Sequence, residues 1–150
     1  MSLEITINNE IKAAMLAKEK VRLEALRAIK AAILLAKTAE GASGEELTDT
    51  EVIKIIQKLV KQRKESAEIY TQQNRPELAE TEIAEAQAME VFLPKQMSED
   101  ELEDELKKII SSVGAMAPSD MGKVMGVATK ALAGKADGKA ISAMVKKLLG

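Results

Sequence analysis

The chain has 150 residues, of which 46% are hydrophobic, 31% charged and 1% aromatic, with neither cysteine nor histidine. That length holds one domain or two small ones, not a large multi-domain enzyme. Disulfides, zinc–thiolate sites, thiol nucleophiles and imidazole bases are excluded, and a net charge of −2 excludes a uniformly cationic nucleic-acid coat.

Ala, Glu, Lys, Leu and Arg supply 79 of the 150 residues, the composition of long-helix proteins when helical periodicity accompanies it. An all-α fold follows. No apolar run reaches the roughly 18 residues of a membrane span or forms a signal-peptide core, the richest being Ala31 to Ala36. The expected setting is the cytoplasm, with no membrane contact.

In chain order, Ile7, Ile11, Ala14 and Met15 recur at helical spacing, and Leu23, Leu26, Ile29, Ile33 and Ala36 form a second stripe. Two helices, or one kinked helix, account for both. Glu40 to Leu47, EGASGEEL, reads as a loop, and Thr48 with Glu51 makes a capping box for the next helix. That helix runs from Thr50 to about Gln72, burying Val52, Ile56, Leu59, Ala67 and Tyr70 with help from Ile53 and Val60. Asn74, Arg75 and Pro76 end it. A helix from Glu77 to about Phe92 follows, with Leu78, Ile83, Ala86 and Met89 on its apolar side.

A boundary is expected near Pro94 to Met97, dividing residues 1–94, a helical amino-terminal domain of long helices, from residues 95–150, a small three-helix tail domain. Ser98 and Glu101 make a second capping box, and Glu99, Asp100 and Glu101 suit the positive end of a helix dipole. Leu102, Leu106, Ile109, Ile110 and Val113 then form an apolar face stopped by Gly114. A helix from about Met121 to Ala133 buries Met121, Val124, Met125, Ala128 and Leu132. A last one after Asp137 buries Ile141, Met144, Val145, Leu148 and Leu149.

Charge is uneven. Val52 to Lys64 carries five basic residues and no acid, while Glu65 to Glu90 carries seven acids and only Arg75. Antiparallel packing of these two segments makes the charges complementary. Beyond Val113, six lysines face only Asp120 and Asp137, so positive charge collects on the last two helices.

Catalysis without His or Cys needs paired carboxylates, a lysine nucleophile or a metal. The acids here lie where helix starts and solvated faces want them, so no catalytic residue, metal ligand or cofactor is expected. GKADGK, Gly134 to Lys139, fails as a Walker A loop: three residues separate its glycines instead of four, and Ala140 stands where Ser or Thr is needed. DMGKVMG, Asp120 to Gly126, joins a helix amino terminus to Gly122 and Lys123, and ADGK repeats the pattern at the final helix. Gly122, Lys123, Gly126, Gly134, Lys135, Gly138 and Lys139 are therefore the candidate RNA-backbone contacts. The alternative is structural: Asp120 and Asp137 as plain N-caps, and Gly122 and Gly126 as sites of close helix packing.

Taken together, DMGKVMG, GKADGK, FLPKQMS (Phe92 to Ser98), KQRKESAEIY (Lys61 to Tyr70) and RLEALRAIKAAI (Arg22 to Ile33) resemble the GatB/YqeY family, in its stand-alone YqeY type. The resemblance implies similarity to the carboxy-terminal part of the B subunit of the glutamine-dependent tRNA amidotransferase, a carbon–nitrogen ligase acting on misacylated tRNA. In that enzyme the tail contacts tRNA and chemistry occurs in a catalytic domain for which no segment remains here. The implied function is a tRNA-binding or amidotransferase-related accessory module, non-catalytic alone, with tRNA as partner. The alternative is an adaptor docking on an amidotransferase or aminoacyl-tRNA synthetase without RNA contact, motivated by Met116, Met121, Met125 and Met144.

Overall fold

A computed structural model of the chain describes residues 2–39, 41 and 44–150. Among these the protein is all-α, with seven α-helices, one short 3-10 turn and no strand. Two compact units divide between Leu93 and Pro94: Met1–Leu93 and Pro94–Gly150.

The first unit holds α1 (Leu3–Ala17), α2 (Lys20–Thr38), α3 (Asp49–Gln72) and α4 (Pro76–Glu90). The first two stripes are separate helices, because Lys18 adopts a left-handed conformation (φ 58) and its amide closes the last turn of α1. Of the loop expected over Glu40 to Leu47, Glu40, Ala42 and Ser43 lie outside the described residues. The Thr48–Glu51 capping box forms: the Thr48 hydroxyl accepts from the Glu51 amide at 3.2 Å, and the Glu51 carboxylate accepts from the Thr48 amide at 2.8 Å. Two donors that a helix start leaves open are thereby satisfied. At the far end of α3, Asn74 turns left-handed (φ 60) and Pro76 opens α4.

The core of this unit joins Ile7, Ala14, Leu26, Ile29, Ile33, Val52, Ile56, Val60, Ala86 and Met89. Each large aliphatic among them contributes about 1.5–3 kcal/mol by leaving water. Two expected core positions on α4 differ. Leu78 and Ile83 are exposed, and Ala79 is buried instead. The inner face of α4 runs through Ala79, Glu82, Ala86 and Met89, because Glu82 and Glu85 turn toward Arg63 of α3. Met15 of α1 is likewise exposed.

The second unit holds α5 (Glu99–Val113), a 3-10 turn at Pro118–Asp120, α6 (Met121–Ala131) and α7 (Gly138–Leu149). The Ser98–Glu101 capping box starts α5 and Gly114 (φ 70) ends it. Leu102, Leu106, Val124, Ala128, Leu132, Ile141, Met144, Val145 and Leu149 form its core. α6 stops two residues earlier than its apolar pattern suggests, and Leu132 packs into the core from the turn that follows.

Candidate nucleic-acid interface

In the second unit, Glu101, Asp120 and Asp137 are used on the backbone at helix starts. Ser98 hydrogen-bonds the Glu101 carboxylate through its side chain and its amide, which holds that carboxyl below its usual range. Asp120 behaves similarly. Its Oδ2 accepts from the amides of Met116 at 3.0 Å and Ala117 at 3.2 Å, and these two bonds lower its pKa, with Lys123 adding a smaller electrostatic contribution. The carboxylate therefore closes the 3-10 turn and makes no side-chain cap to α6. Met121 N–H donates to Pro118 O, so the first amide of α6 is already occupied.

Val124 and Ala128 of α6 point into the core, while Gly122, Lys123, Gly126, Val127, Lys130 and Ala131 line a shallow open groove on the opposite side. A Cβ added at Gly122 or Gly126 meets nothing within 4 Å. Close packing of two helices is therefore not what these glycines serve. Each costs a helix roughly 0.5–1 kcal/mol relative to alanine, and no neighbour among the described residues requires the missing side chain.

The α6–α7 turn places the remaining candidates differently. Gly134 is buried with φ 79, and its carbonyl accepts from Gln96 Nε2 at 2.7 Å. Lys135 is held through its backbone, its carbonyl accepting from the Met97 amide at 3.0 Å, while its side chain is exposed. Asp137 is the N-cap of α7, accepting from the Lys139 amide at 3.4 Å. Gly138 opens the helix with free space where its Cβ would be, and Lys139 is exposed beside it. The α6 groove thus gathers Gly122, Lys123 and Gly126. Lys135, Gly138 and Lys139 stand at the start of α7 outside it, and Gly134 is a turn residue.

Sequence reasoning passed over Val127 and Lys130. The signal was present: Lys123, Val127 and Lys130 repeat at i, i+4 and i+7, the same count used to find the buried side of α6. Among the described residues, Lys123, Lys130, Lys135, Lys139, Lys146 and Lys147 form no ion pair, in contrast to Lys107 and Lys108 of α5, which pair with Glu103 and Glu105. A lysine is a compact point charge suited to phosphate oxygens.

A second groove of about 440 Å³ runs between the start of α5 and α7. Its walls include Met97, Leu102, Ala140, Ala143 and Met144, with Glu99 and Lys147 also lining it. In the first unit, the basic run of α3 is partly consumed by α4. Arg63 Nε lies 3.1 Å from Glu85 and 3.7 Å from Glu82, and Lys64 pairs with Glu90 at 2.7 Å. Burial raises the pKa of Glu85, with Arg63 opposing it and Glu82 and Glu24 adding to it. Among the described residues no cluster of Asp or Glu could hold a metal ion, and no helix is long and apolar enough to cross a membrane.

The architecture defines a small helical protein of two units, with exposed lysines on the last two helices of the second. The chain belongs to the family of Yqey-like proteins, whose pattern it matches over residues 4–149. It is similar to two yeast proteins, both named "Altered inheritance of mitochondria protein 41, mitochondrial". It is 34% identical over 110 residues to that of Meyerozyma guilliermondii, covering 72% of this chain and 56% of the relative. To that of Clavispora lusitaniae it is 31% identical over 108 residues, covering 71% and 61%. The match thus spans less than two thirds of each relative's length. These names correct the cytoplasmic location read from the sequence, since both relatives are named as mitochondrial. The physical reason is that a lack of apolar runs bears on helical membrane crossing and on secretory signals, not on compartment. Mitochondrial transit peptides are amphipathic and Arg-rich, with no apolar core.

Proposed function

We propose that this chain is a tRNA-binding accessory module, related to tRNA amidotransferases and non-catalytic alone, with its contact surface on α6 and the start of α7. One observation carries the reading. The six lysines beyond Val113 form no ion pair among the described residues, and Lys123 and Lys130 share an open groove with two helical glycines at which an added Cβ would meet nothing within 4 Å. Phosphate contacts from lysine and close approach of bare backbone are the means by which an RNA backbone is held. Gly122, Lys123, Gly126, Lys130, Gly138 and Lys139 are the assigned contacts, with Lys135 contributing through its exposed side chain. Gly134 acts only by shaping the turn. The test is tRNA affinity of the full chain against the Lys123→Glu, Lys139→Glu double variant. A loss of about ten-fold or more is expected, and unchanged affinity overturns the assignment.

The second reading is an adaptor that docks on an amidotransferase or aminoacyl-tRNA synthetase without touching RNA. The observation favouring it is the α5–α7 groove, where Met97 and Met144 supply adaptable contacts and Ala140 and Ala143 leave room for an incoming side chain. Its mark is co-purification with one of those enzymes that survives nuclease treatment and is lost on Ala143→Lys.

A further inference from the structure

We infer that the tail unit recognises the backbone of double-helical RNA, a stem rather than a single strand, without reading sequence. This rests on the RNA-binding reading above and names the form of RNA it takes.

Residues 94–150 contain no Phe, Tyr, Trp, His or Arg. Tyr70 and Phe92, the two aromatic residues of the chain, belong to the first unit. Single-stranded RNA is held by stacking its splayed bases on aromatic rings or guanidinium planes, and the tail unit owns neither. The planar forked groups that read base edges in register are those of Arg, Asn and Gln, whereas lysine, which also reaches guanine, is a point charge equally suited to phosphate. The tail unit has no Asn, and its single Gln, Gln96, directs its amide nitrogen to the carbonyls of Gly134 at 2.7 Å and Pro94 at 2.9 Å. What remains for a ligand is lysine, hydroxyls such as those of Ser119 and Thr129, and exposed backbone.

The placement of those lysines points the same way. Lys123 and Lys130 lie two turns apart in one row on α6, about 10 Å along its axis, and Gly122 and Gly126 line the same groove. Cations fixed on one helix suit phosphates whose spacing is itself fixed, as in a duplex. A flexible strand must first be ordered to meet them, and that ordering opposes binding. The wide, shallow minor groove of A-form RNA displays sugars and 2′-hydroxyls, and glycine lets such an edge reach the helix backbone.

The experiment uses the full chain and fluorescence anisotropy at one low salt concentration, with four probes: a blunt RNA duplex of about 20 base pairs, a second duplex of scrambled sequence, one isolated strand, and total tRNA. The two duplexes are expected to bind alike within about two-fold, and at least about ten-fold tighter than the strand. Val127→Trp, which places a ring on the exposed side of α6, is expected to raise single-strand affinity roughly five-fold or more, because stacking is the missing element. Tight binding of the strand by the parent chain, with tRNA still bound, overturns the stem assignment and leaves the RNA reading standing. Failure to bind any of the four probes overturns the RNA reading itself. A Val127→Trp chain that folds, as judged by circular dichroism, yet gains no single-strand affinity also counts against the stem assignment.

Discussion

The Met97 amide donates to the Lys135 carbonyl at 3.0 Å, so the segment that opens the tail unit is fastened to the turn between its last two helices. Gln96 adds its bond to the Gly134 carbonyl beside it. These two contacts separate glycines that shape the tail from glycines that are free to serve a ligand, and the two groups respond oppositely to alanine.

Gly134→Ala forces a side chain into a left-handed conformation (φ 79) and is expected to cost about 1–2 kcal/mol. Gly122→Ala and Gly126→Ala each place a methyl group in open space and are expected to stabilise by roughly 0.5–1 kcal/mol through helix propensity. Urea midpoints of the full chain check both signs. RNA affinity adds the functional half: the α6 variants bind more weakly although they are more stable, and stronger or equal binding contradicts the proposed role of those glycines.

The helix caps supply a second expectation. Thr48→Ala removes the hydroxyl that accepts from the Glu51 amide, and Ser98→Ala removes its counterpart at α5. Each is expected to lose about 1 kcal/mol. Thermal melting followed by circular dichroism measures this, and an effect below a few tenths of a kcal/mol contradicts the assigned capping.

Glu85 yields a pH dependence. Burial raises its folded pKa above the ordinary value of 4.5, which means the folded state binds the proton more tightly than the unfolded state. Stability from this group is therefore greatest at low pH and falls as pH rises from 4.5 through the raised folded value. Glu85→Gln removes that fall. The parent and variant stability curves, compared by urea denaturation from about pH 4 to about pH 7, are expected to diverge as pH rises, with the variant gaining. Parallel curves contradict the burial argument.

Much of the helical layout was legible in the sequence because it depends on local chemistry. Both capping boxes, Pro76 at the start of α4, and the buried stripes of α2, α3, α5 and α7 follow from spacing and side-chain type. The departures come from contacts that side-chain type and spacing do not reveal, some distant and some local. Counting apolar residues on α4 favours Leu78 and Ile83, yet Arg63, far off in sequence, draws Glu82 and Glu85 to the inner face and turns those two residues outward. Lys18 takes a left-handed conformation that lysine does not advertise. In the tail, Asp120 read as a cap for α6 but bonds backward to Met116 and Ala117. Gly134 looked identical in kind to Gly122, and only the Gln96 bond and its φ angle distinguish them. The lysine pattern was countable, but that Lys130 shares a groove with Lys123 became evident only once Val124 and Ala128 were seen to fix the orientation of α6.

The affinity of the full chain for tRNA as a function of salt tests the central claim most directly. Lysines neutralising three to six phosphates release counterions, so the logarithm of the association constant is expected to fall linearly with the logarithm of salt concentration, with a slope of about −2 to −5. The Lys123→Glu, Lys130→Glu variant is expected to flatten that slope by about two. Absence of tRNA binding at low salt, or binding that salt leaves unchanged, contradicts the account.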